Sequence, residues 1–589
     1  MKEQRSKLAI HLHQTHQTLA DFESIFLCLK QHTSSPGLHL FPEMFLTGYP
    51  LKDLVLQKSF TKSYINLKRR IDHWCQGLEA NDDWAALIGG VEYEFNDQNQ
   101  MIKIENVIFE LRPGFGLKKI YSKRLLPNYD IFDELKYFSP GNENGFYHFK
   151  GHHFGLLICE DMWASSFHKM DPCQEMENEI QKSNLDLSAI INLSASPFNH
   201  SKKIHRHQRA KLLSGVFGCP FYYVNQVGGE DEVLFDGHSF CVNEDHSITE
   251  LKSFEEDHRT FFLEKSKKNS RTSSLSQTNT WEQLFAPNLD FSSSPAKLIP
   301  LTDWDCEEIL NALIFGFQEY ARKSHFKKFL VALSGGIDSA LVLTILKLGL
   351  KNDQSLEAVY MPSIHSSNIS TELSEKLCLD LNIPLYKFPI HILHSEIKSS
   401  FEQIFHDKFE GLTDENVQSR LRGTLIYTRS NQTGAMVINT SNKSEIAVGY
   451  STQYGDSVGA LSLLGDLYKT EVYALANFIN KKYNSLIPEG IISRGPSAEL
   501  RDNQLDQDSL PEYSRLDALL EGILSYGQDK SDFIKLGFNE GEIEKVMNLY
   551  LKSEYKRAQF CPILKLKAKS FGFGYRIPIN KHFNYLLHS

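Results

Sequence analysis

Ser334, Gly335, Gly336, Ile337, Asp338 and Ser339 follow directly on the apolar run Phe329 to Leu333 and precede the helix-like stretch Ala340 to Leu346. A strand, a glycine turn and a helix start in that order make an anion site. The first helical amides carry partial positive charge, two glycines let backbone approach phosphate oxygens, and two serine hydroxyls add donors. No lysine follows the turn, so it is not the GxxxxGK[ST] phosphate loop. An aspartate beside phosphates calls for a cation between them, and Mg²⁺ is the usual one. Glu445 opens a helix after the short strand Met436 to Ile438, which sets a second carboxylate at the same sheet edge. Two such acids can share one Mg²⁺ on the phosphates of ATP. Each feature also has a plainer reading: the glycines as a tight strand-to-helix turn, and Glu445 as an acid in a first helical turn.

The first half offers three separated reactive side chains. Cys159 ends the apolar strand Phe154 to Ile158 and is followed by Glu160, Asp161, Met162 and Trp163. Glu43 lies inside the largely apolar segment Phe41 to Pro50, so it is buried and paired, or buried with a raised pKa and available as a base. Lys123 lies between Tyr121 and Tyr129. Taken singly, Cys159 reads as an inert core thiol and Lys123 as a solvated loop lysine. Taken together, a thiol, a base and a cation are the parts of nucleophilic attack on a carbonyl.

These residues need a scaffold. Strand-like runs at 329–333, 357–361 and 436–440, separated by helical lengths, predict a doubly wound parallel sheet with its ligand at the carboxyl ends of the strands. Ile309, Leu313, Phe317 and Tyr320 recur at helical spacing, so a second domain begins near Leu298 with an amphipathic helix. The first half mixes short apolar strands, such as 154–158 and 189–193, with helical segments. Residues 265–294 are rich in Ser, Lys, Asn and Thr and read as an inter-domain linker. There is no internal repeat.

A chain of 589 residues is too long for one ordinary core and implies two or three domains. Its formal charge is 63 − 73 = −10 with no long basic block, which argues against nucleic acid as a partner. No run approaches 18 apolar residues and Met1 to Arg5 lacks an apolar signal core, so no membrane is expected and the location is read as cytoplasmic. The nine cysteines contain no CxxC pair, the pattern of reduced thiols rather than a disulfide framework or a zinc site.

The glycine turn resembles the pyrophosphate loop of the ATP pyrophosphatases that activate a substrate by adenylation. Glu43, Lys123 and Cys159 resemble the Glu-Lys-Cys triad of the nitrilase-like amidase superfamily. That resemblance runs from about residue 7 to 250 and includes Asn192 to Phe198, Asn225 to Asp231 and Phe235 to Phe240, while His11 to Asp21 lacks parts of the usual amidase start. From about residue 300 onward the chain resembles the synthetase domain of the glutamine-dependent NAD⁺ synthetase family. The segments are Glu415 to Gly423, Asn439 to Glu445, Gly449 to Asp456, Asp466 to Thr470, Pro496 to Asp506 and Tyr555 to Gln559. Ser441 stands where that family usually has glycine, and Gln453 where it has leucine.

The resemblance implies an α/β chain: a nitrilase-like α-β-β-α domain over 1–262, a linker over 263–297, and a Rossmann-like ATP-pyrophosphatase domain over 298–589. It implies glutamine hydrolysis by Glu43, Lys123 and Cys159, with Tyr129, Ser196 and Lys202 holding glutamine. It further implies ATP binding by Ser334, Gly335, Gly336, Ile337, Asp338, Ser339, Thr440, Lys469 and Ser497. Asn416, Arg420, Glu445, Asp456 and Lys556 would face deamido-NAD⁺, Mg²⁺ would sit on Asp338 and Glu445, and a homo-oligomer would form through the synthetase domain. Two other readings stay open on the residues alone: an amide-forming or thiolating enzyme with the same ATP loop that acts on another acid or on tRNA, and a non-catalytic nitrogen-sensing or binding protein.

Overall fold

The computed structural model describes residues 7–81, 83–163, 170–264, 275, 288–502 and 504–581. The chain divides into two compact units, Met1–Ala286 and Pro287–Ser589.

The first unit is built on two six-stranded sheets. Along its strands successive side chains point to opposite faces, and the apolar residues divide accordingly. Ile10, Leu12, Ala85 and Leu87 of one sheet and Leu156, Ile158, Ile191 and Leu193 of the other form a single core between the sheets. The alternate residues Ala86 and Ile88 pack under the helices Phe22–His32 and Lys58–Gln76. Leu157 and Ile190 likewise pack under Pro172–Ser183 and Lys202–Phe217. The layering is therefore α-β-β-α.

The second unit carries a five-stranded, all-parallel sheet. Three of its strands match the sequence expectation: Lys328–Leu333, Ser355–Tyr360 and Met436–Asn439. Leu385–Lys387 and Leu461–Ser462 complete it and were not foreseen, because three- and two-residue strands leave no periodicity to read. In chain order the strands run 3-2-1-4-5 across the sheet, so direction reverses between Lys328–Leu333 and Met436–Asn439. Such a reversal opens a crevice at the strands' carboxyl ends.

The amphipathic helix expected near Leu298 is Asp303–Lys323, capped by Thr302 with Asp305 in a reciprocal capping box. Most of the stretch expected as a linker lies outside the described residues. Its described end behaves differently from a linker: Leu289–Asp290 pairs with Lys297–Leu298, and Leu289 and Ala296 are buried in the core that includes Leu516 and Leu520. Two apolar side chains among serines were enough to recruit this segment to the second unit. Among the described residues, no helix is long and apolar enough to cross a membrane.

Candidate active sites

In the first unit Cys159 stands where the strand His152–Ile158 breaks into a single 3-10 turn. Its backbone is left-handed, with φ of 44°. A non-glycine residue held there stores strain that the surroundings must hold in place. Asn192 of the neighbouring strand does so, its Oδ1 accepting the Cys159 amide at 2.7 Å. Asp161 anchors the same turn. Its carboxylate accepts from the Ile158 amide at 3.0 Å, from the Arg124 and Leu125 amides at 3.0 and 2.8 Å, and from the Tyr121 hydroxyl at 2.9 Å. One side chain thus ties the cysteine turn to the segment that carries Lys123.

Glu43 and Lys123 are each 1% exposed, and Lys123 Nζ donates to Glu43 Oε1 at 2.7 Å. The remaining lone pairs of Glu43 accept from Asn106 Nδ2 at 2.7 Å and the Ala195 amide at 2.8 Å. Lys123 also donates to Glu134 Oε1 at 2.9 Å, a carboxylate that Tyr49 contacts through its hydroxyl at 2.8 Å. Burial would lower the Lys123 pKa, but Glu134 and Glu43 raise it well above the lysine range, so it is a fixed cation. Burial and the nearby Glu43 charge push Glu134 up to about 7 against the pull of Lys123. The Cys159 thiol is pushed up by burial and by Glu43, opposed by Lys123 and Lys202. At rest it is therefore a thiol, not a thiolate, and a base is needed to ionise it.

The residues assigned to glutamine lie near this turn. The Tyr129 hydroxyl donates to both oxygens of Glu160, the residue after the cysteine, at 3.0 Å. Lys202 donates to the Pro197 carbonyl at 3.2 Å, and burial with the adjacent Arg206 lowers its pKa to about 8. Ser196 is bound through its amide to Asn225 Oδ1 at 2.8 Å and through its carbonyl to Arg206 at 3.0 Å. Arg206 is buried and doubly paired with Asp236.

In the second unit the glycine turn links Lys328–Leu333 to the helix Ile337–Gly349 at the reversal point of the sheet. Gly335 has φ of 84°, and a Cβ there would lie 2.8 Å from the Ser370 carbonyl oxygen. The turn is held by the Ser334 hydroxyl, which accepts the Gly336 amide at 3.2 Å and meets Ser339 Oγ at 3.1 Å. A cleft opens above it, lined by Ser334 to Ser339, Thr440, Glu445, Lys469 and Ser497, and it extends to Ser419 and Asp456.

Asp338 accepts from Asn442 Nδ2 at 3.0 Å and is paired with Lys469, whose Nζ also lies 3.5 Å from Glu445 Oε1. Glu445 does sit in a first helical turn, completing a capping box with Asn442. Burial and Asp338 raise it to about 8 despite Lys469. Asn416, Arg420, Asp456 and Lys556 gather instead around the loop 449–456. Asn416 Oδ1 accepts Thr452 Oγ1 at 2.7 Å, Arg420 Nε donates to the Gln453 carbonyl at 3.3 Å, and Asp456 Oδ1 accepts the Thr452 amide at 2.6 Å. Lys556 donates to the Gly449 and Ser451 carbonyls at 2.7 and 2.6 Å. Glu445, grouped with these four by the resemblance, stands with Asp338 and Lys469. Ser441 needs no left-handed backbone, so serine is accommodated where glycine is usual.

Models of two families match the chain: carbon-nitrogen hydrolase over residues 13–258 and NAD synthase over residues 309–560. The glutamine-dependent NAD(+) synthetase of Acinetobacter baylyi is 35% identical over 547 residues, covering 92% of each chain. The chain belongs to the glutamine-dependent NAD(+) synthetase family. The Synechocystis member is 33% identical over 566 residues, with 94% of each chain covered. The solved Acinetobacter baumannii member, in complex with ADP, is 29% identical with a TM-score of 0.69 and 98% of each chain covered.

Sequence reasoning missed Glu134, Asp161 and the Arg206–Asp236 pair. Glu134 is one of three acids within five residues, after Asp130 and Asp133, and Asp161 is one acid beside another, Glu160. The one available signal was Arg206, a cation four residues after Lys202 on the same helix.

Proposed function

We propose that the chain, as a member of this family, hydrolyses glutamine and uses the ammonia in the ATP-dependent amidation of deamido-NAD⁺, yielding NAD⁺, AMP and pyrophosphate. The observation that carries the reading is the coexistence in one chain of a buried Glu43–Lys123 pair beside a strained cysteine and a glycine anion turn at a sheet reversal.

In this reading Glu43 takes the Cys159 proton as sulfur attacks the glutamine amide carbon, and Lys123 Nζ receives the developing oxyanion. The proton passes to the departing nitrogen, ammonia leaves, and water cleaves the thioester to glutamate with Glu43 again as base. Glu134 orients Lys123, with Tyr49 fixing its carboxyl. Tyr129, Ser196 and Lys202 hold the substrate, Lys202 as counter-ion to its carboxylate.

At the second site the nicotinate carboxylate of deamido-NAD⁺ attacks the α-phosphorus of ATP and pyrophosphate leaves. Ammonia then adds to the acyl carbon of the adenylate and displaces AMP. Ser334 to Ser339, Thr440, Lys469 and Ser497 bind the nucleotide. Asn416, Arg420, Asp456 and Lys556 bind the dinucleotide. Asp338 and Glu445 suit Mg²⁺: both are oxygen donors facing one cleft, and a single cation, Lys469, is shared between them. When bound there, Mg²⁺ would neutralise phosphate charge. The domain bounds 1–262 and 298–589, and a homo-oligomer through the second unit, belong to the same proposal.

The test is Cys159→Ala. Glutamine-dependent NAD⁺ synthesis should vanish while synthesis from ammonium chloride at raised pH persists. Retention of both activities would place the glutamine site elsewhere, and loss of both would make Cys159 structural.

A further inference from the structure

Five histidines converge at one edge of the first sheet, in the His11 to Asp21 neighbourhood where the chain departs from the usual amidase start. His13 lies on the strand Leu8–Gln14 directly opposite His258 on the antiparallel edge strand Asp257–Leu263. His32 is the last residue of the helix Phe22–His32. One ring nitrogen from each of His13, His32 and His258 can be chosen so that the three lie within 4.8 Å of one another. His13 is buried, His32 half-buried and His258 exposed, so the cluster is anchored in the protein and open to solvent.

The protonation pattern follows from one carbonyl. The Ser35 carbonyl oxygen can only accept, so His39 Nε2 donates to it at 2.8 Å and His39 Nδ1 of the neutral ring carries the lone pair. His13 Nε2 therefore donates to His39 Nδ1 at 2.9 Å, and His13 Nδ1 is left with a lone pair. That atom faces His258 Nδ1 at 3.2 Å. Two nitrogens on one tetrahedral Zn²⁺, with Zn–N near 2.0–2.1 Å, stand about 3.3–3.4 Å apart. The fifth ring, His11, is consumed elsewhere, donating through Nε2 to the Pro36 carbonyl at 3.0 Å and accepting from Thr260 Oγ1 at 2.9 Å.

We propose that His13, His32 and His258 form a three-imidazole site for a zinc-class divalent cation, with water in the fourth position. His39 and the Ser35 carbonyl are its outer support, the arrangement that fixes the tautomer and raises the basicity of a ligating histidine. The end of the helix at His32 presents its partial negative charge to the ion. The ion would join the first strand and first helix of the unit to the distant edge strand Asp257–Leu263, and so acts as a structural clamp rather than a participant in either reaction. Burial and the neighbouring rings keep His13 neutral, the form that binds metal.

The experiment uses the full chain without a polyhistidine tag, stripped by chelator and titrated with Co²⁺ and then Zn²⁺. The expected result is one Co²⁺ per chain with the intense visible bands of a tetrahedral site, displacement by Zn²⁺, and a Zn²⁺-dependent rise in unfolding temperature. His258→Gln, at an exposed position, and His32→Gln, at a half-buried helix end, should fold, keep both enzymatic activities, and lose the bands and the thermal shift. His39→Gln should keep the three ligands but weaken binding by roughly 10–100-fold, the scale for an outer support. Absence of stoichiometric tetrahedral Co²⁺ in the parent overturns the proposal, as does undiminished binding in the His258→Gln, His32→Gln double variant.

Discussion

Replacing Lys123 by methionine removes the one cation between two carboxylates that are almost wholly buried, Glu43 at 1% and Glu134 at 3% exposure. Two effects of different size and origin follow. The first is chemical: loss of one oxyanion donor lowers turnover by about 10²–10³, or about 2.7–4 kcal/mol of barrier. The second is structural: breaking a buried ion pair by deleting one partner destabilises by about 3–5 kcal/mol, because the remaining charge is uncompensated. Adding Glu134→Gln separates them, since it removes one stranded carboxylate without restoring the cationic donor at the oxyanion. The double variant should recover roughly 1–3 kcal/mol, the cost of a buried polar group left without a partner, and none of the glutaminase rate. Glutamate release from glutamine reads the first effect, and the denaturant midpoint of the first unit reads the second. NAD⁺ formation from ammonium serves as a control that should stay within about twofold for a change confined to the other unit. Glutaminase turnover of Lys123→Met within a factor of about three of the parent would falsify the oxyanion role. Equal midpoints for the single and double variants would refute the charge argument.

Three further outcomes are expected. Asp338→Ala should abolish NAD⁺ formation from both nitrogen sources while glutamine hydrolysis continues; near-parental rates with ammonium would remove Asp338 from the ATP site. Gly335→Ala places a Cβ 2.8 Å from the Ser370 carbonyl at a φ of 84°, so ATP affinity should fall with glutaminase unchanged; equilibrium nucleotide binding checks it, and parental affinity would refute the close-approach argument. Lys202, with its pKa lowered to about 8 by burial and Arg206, is charged below that pH and neutral above it, so kcat/KM for glutamine should decline as pH rises through about 8. Lys202→Met should be uniformly poor and retain only the substrate's own titration, whereas a parallel decline in both proteins would reject Lys202 as counter-ion. The same lowered pKa has a sign for stability: the folded state binds fewer protons than the unfolded chain between about 8 and 10.5, so the burial penalty is relieved as pH rises across that window.

The anion turn was legible in the sequence because its parts are contiguous. A strand, two glycines and a helix start within a dozen residues set their own geometry through local backbone preference, and the strands on either side announce themselves by length and apolarity. Glu43 could be nominated because an acid is chemically out of place in an apolar segment, whereas Cys159 and Lys123 look ordinary singly and are picked out by the resemblance. Their convergence, across three segments with Glu43 80 residues before Lys123 and Cys159 36 residues after it, was not written in any one segment. It depends on how two six-stranded sheets stack and on which strand ends fall together. Glu134 and Asp161 were invisible for the same reason, since an acid next to another acid looks solvated until packing removes the water. Glu445 shows the converse, a residue that could be picked out from its segment but whose neighbours, Asp338 and Lys469, only the sheet reversal decided. The histidine cluster is the fullest case. His13, His32 and His258 are individually ordinary, and strand register together with a helix end sets their nitrogens within reach of one ion. Local sequence specifies what a short segment can do by itself; burial, charge pairing and metal-binding geometry are properties of segments brought together, and those the tertiary structure alone decided.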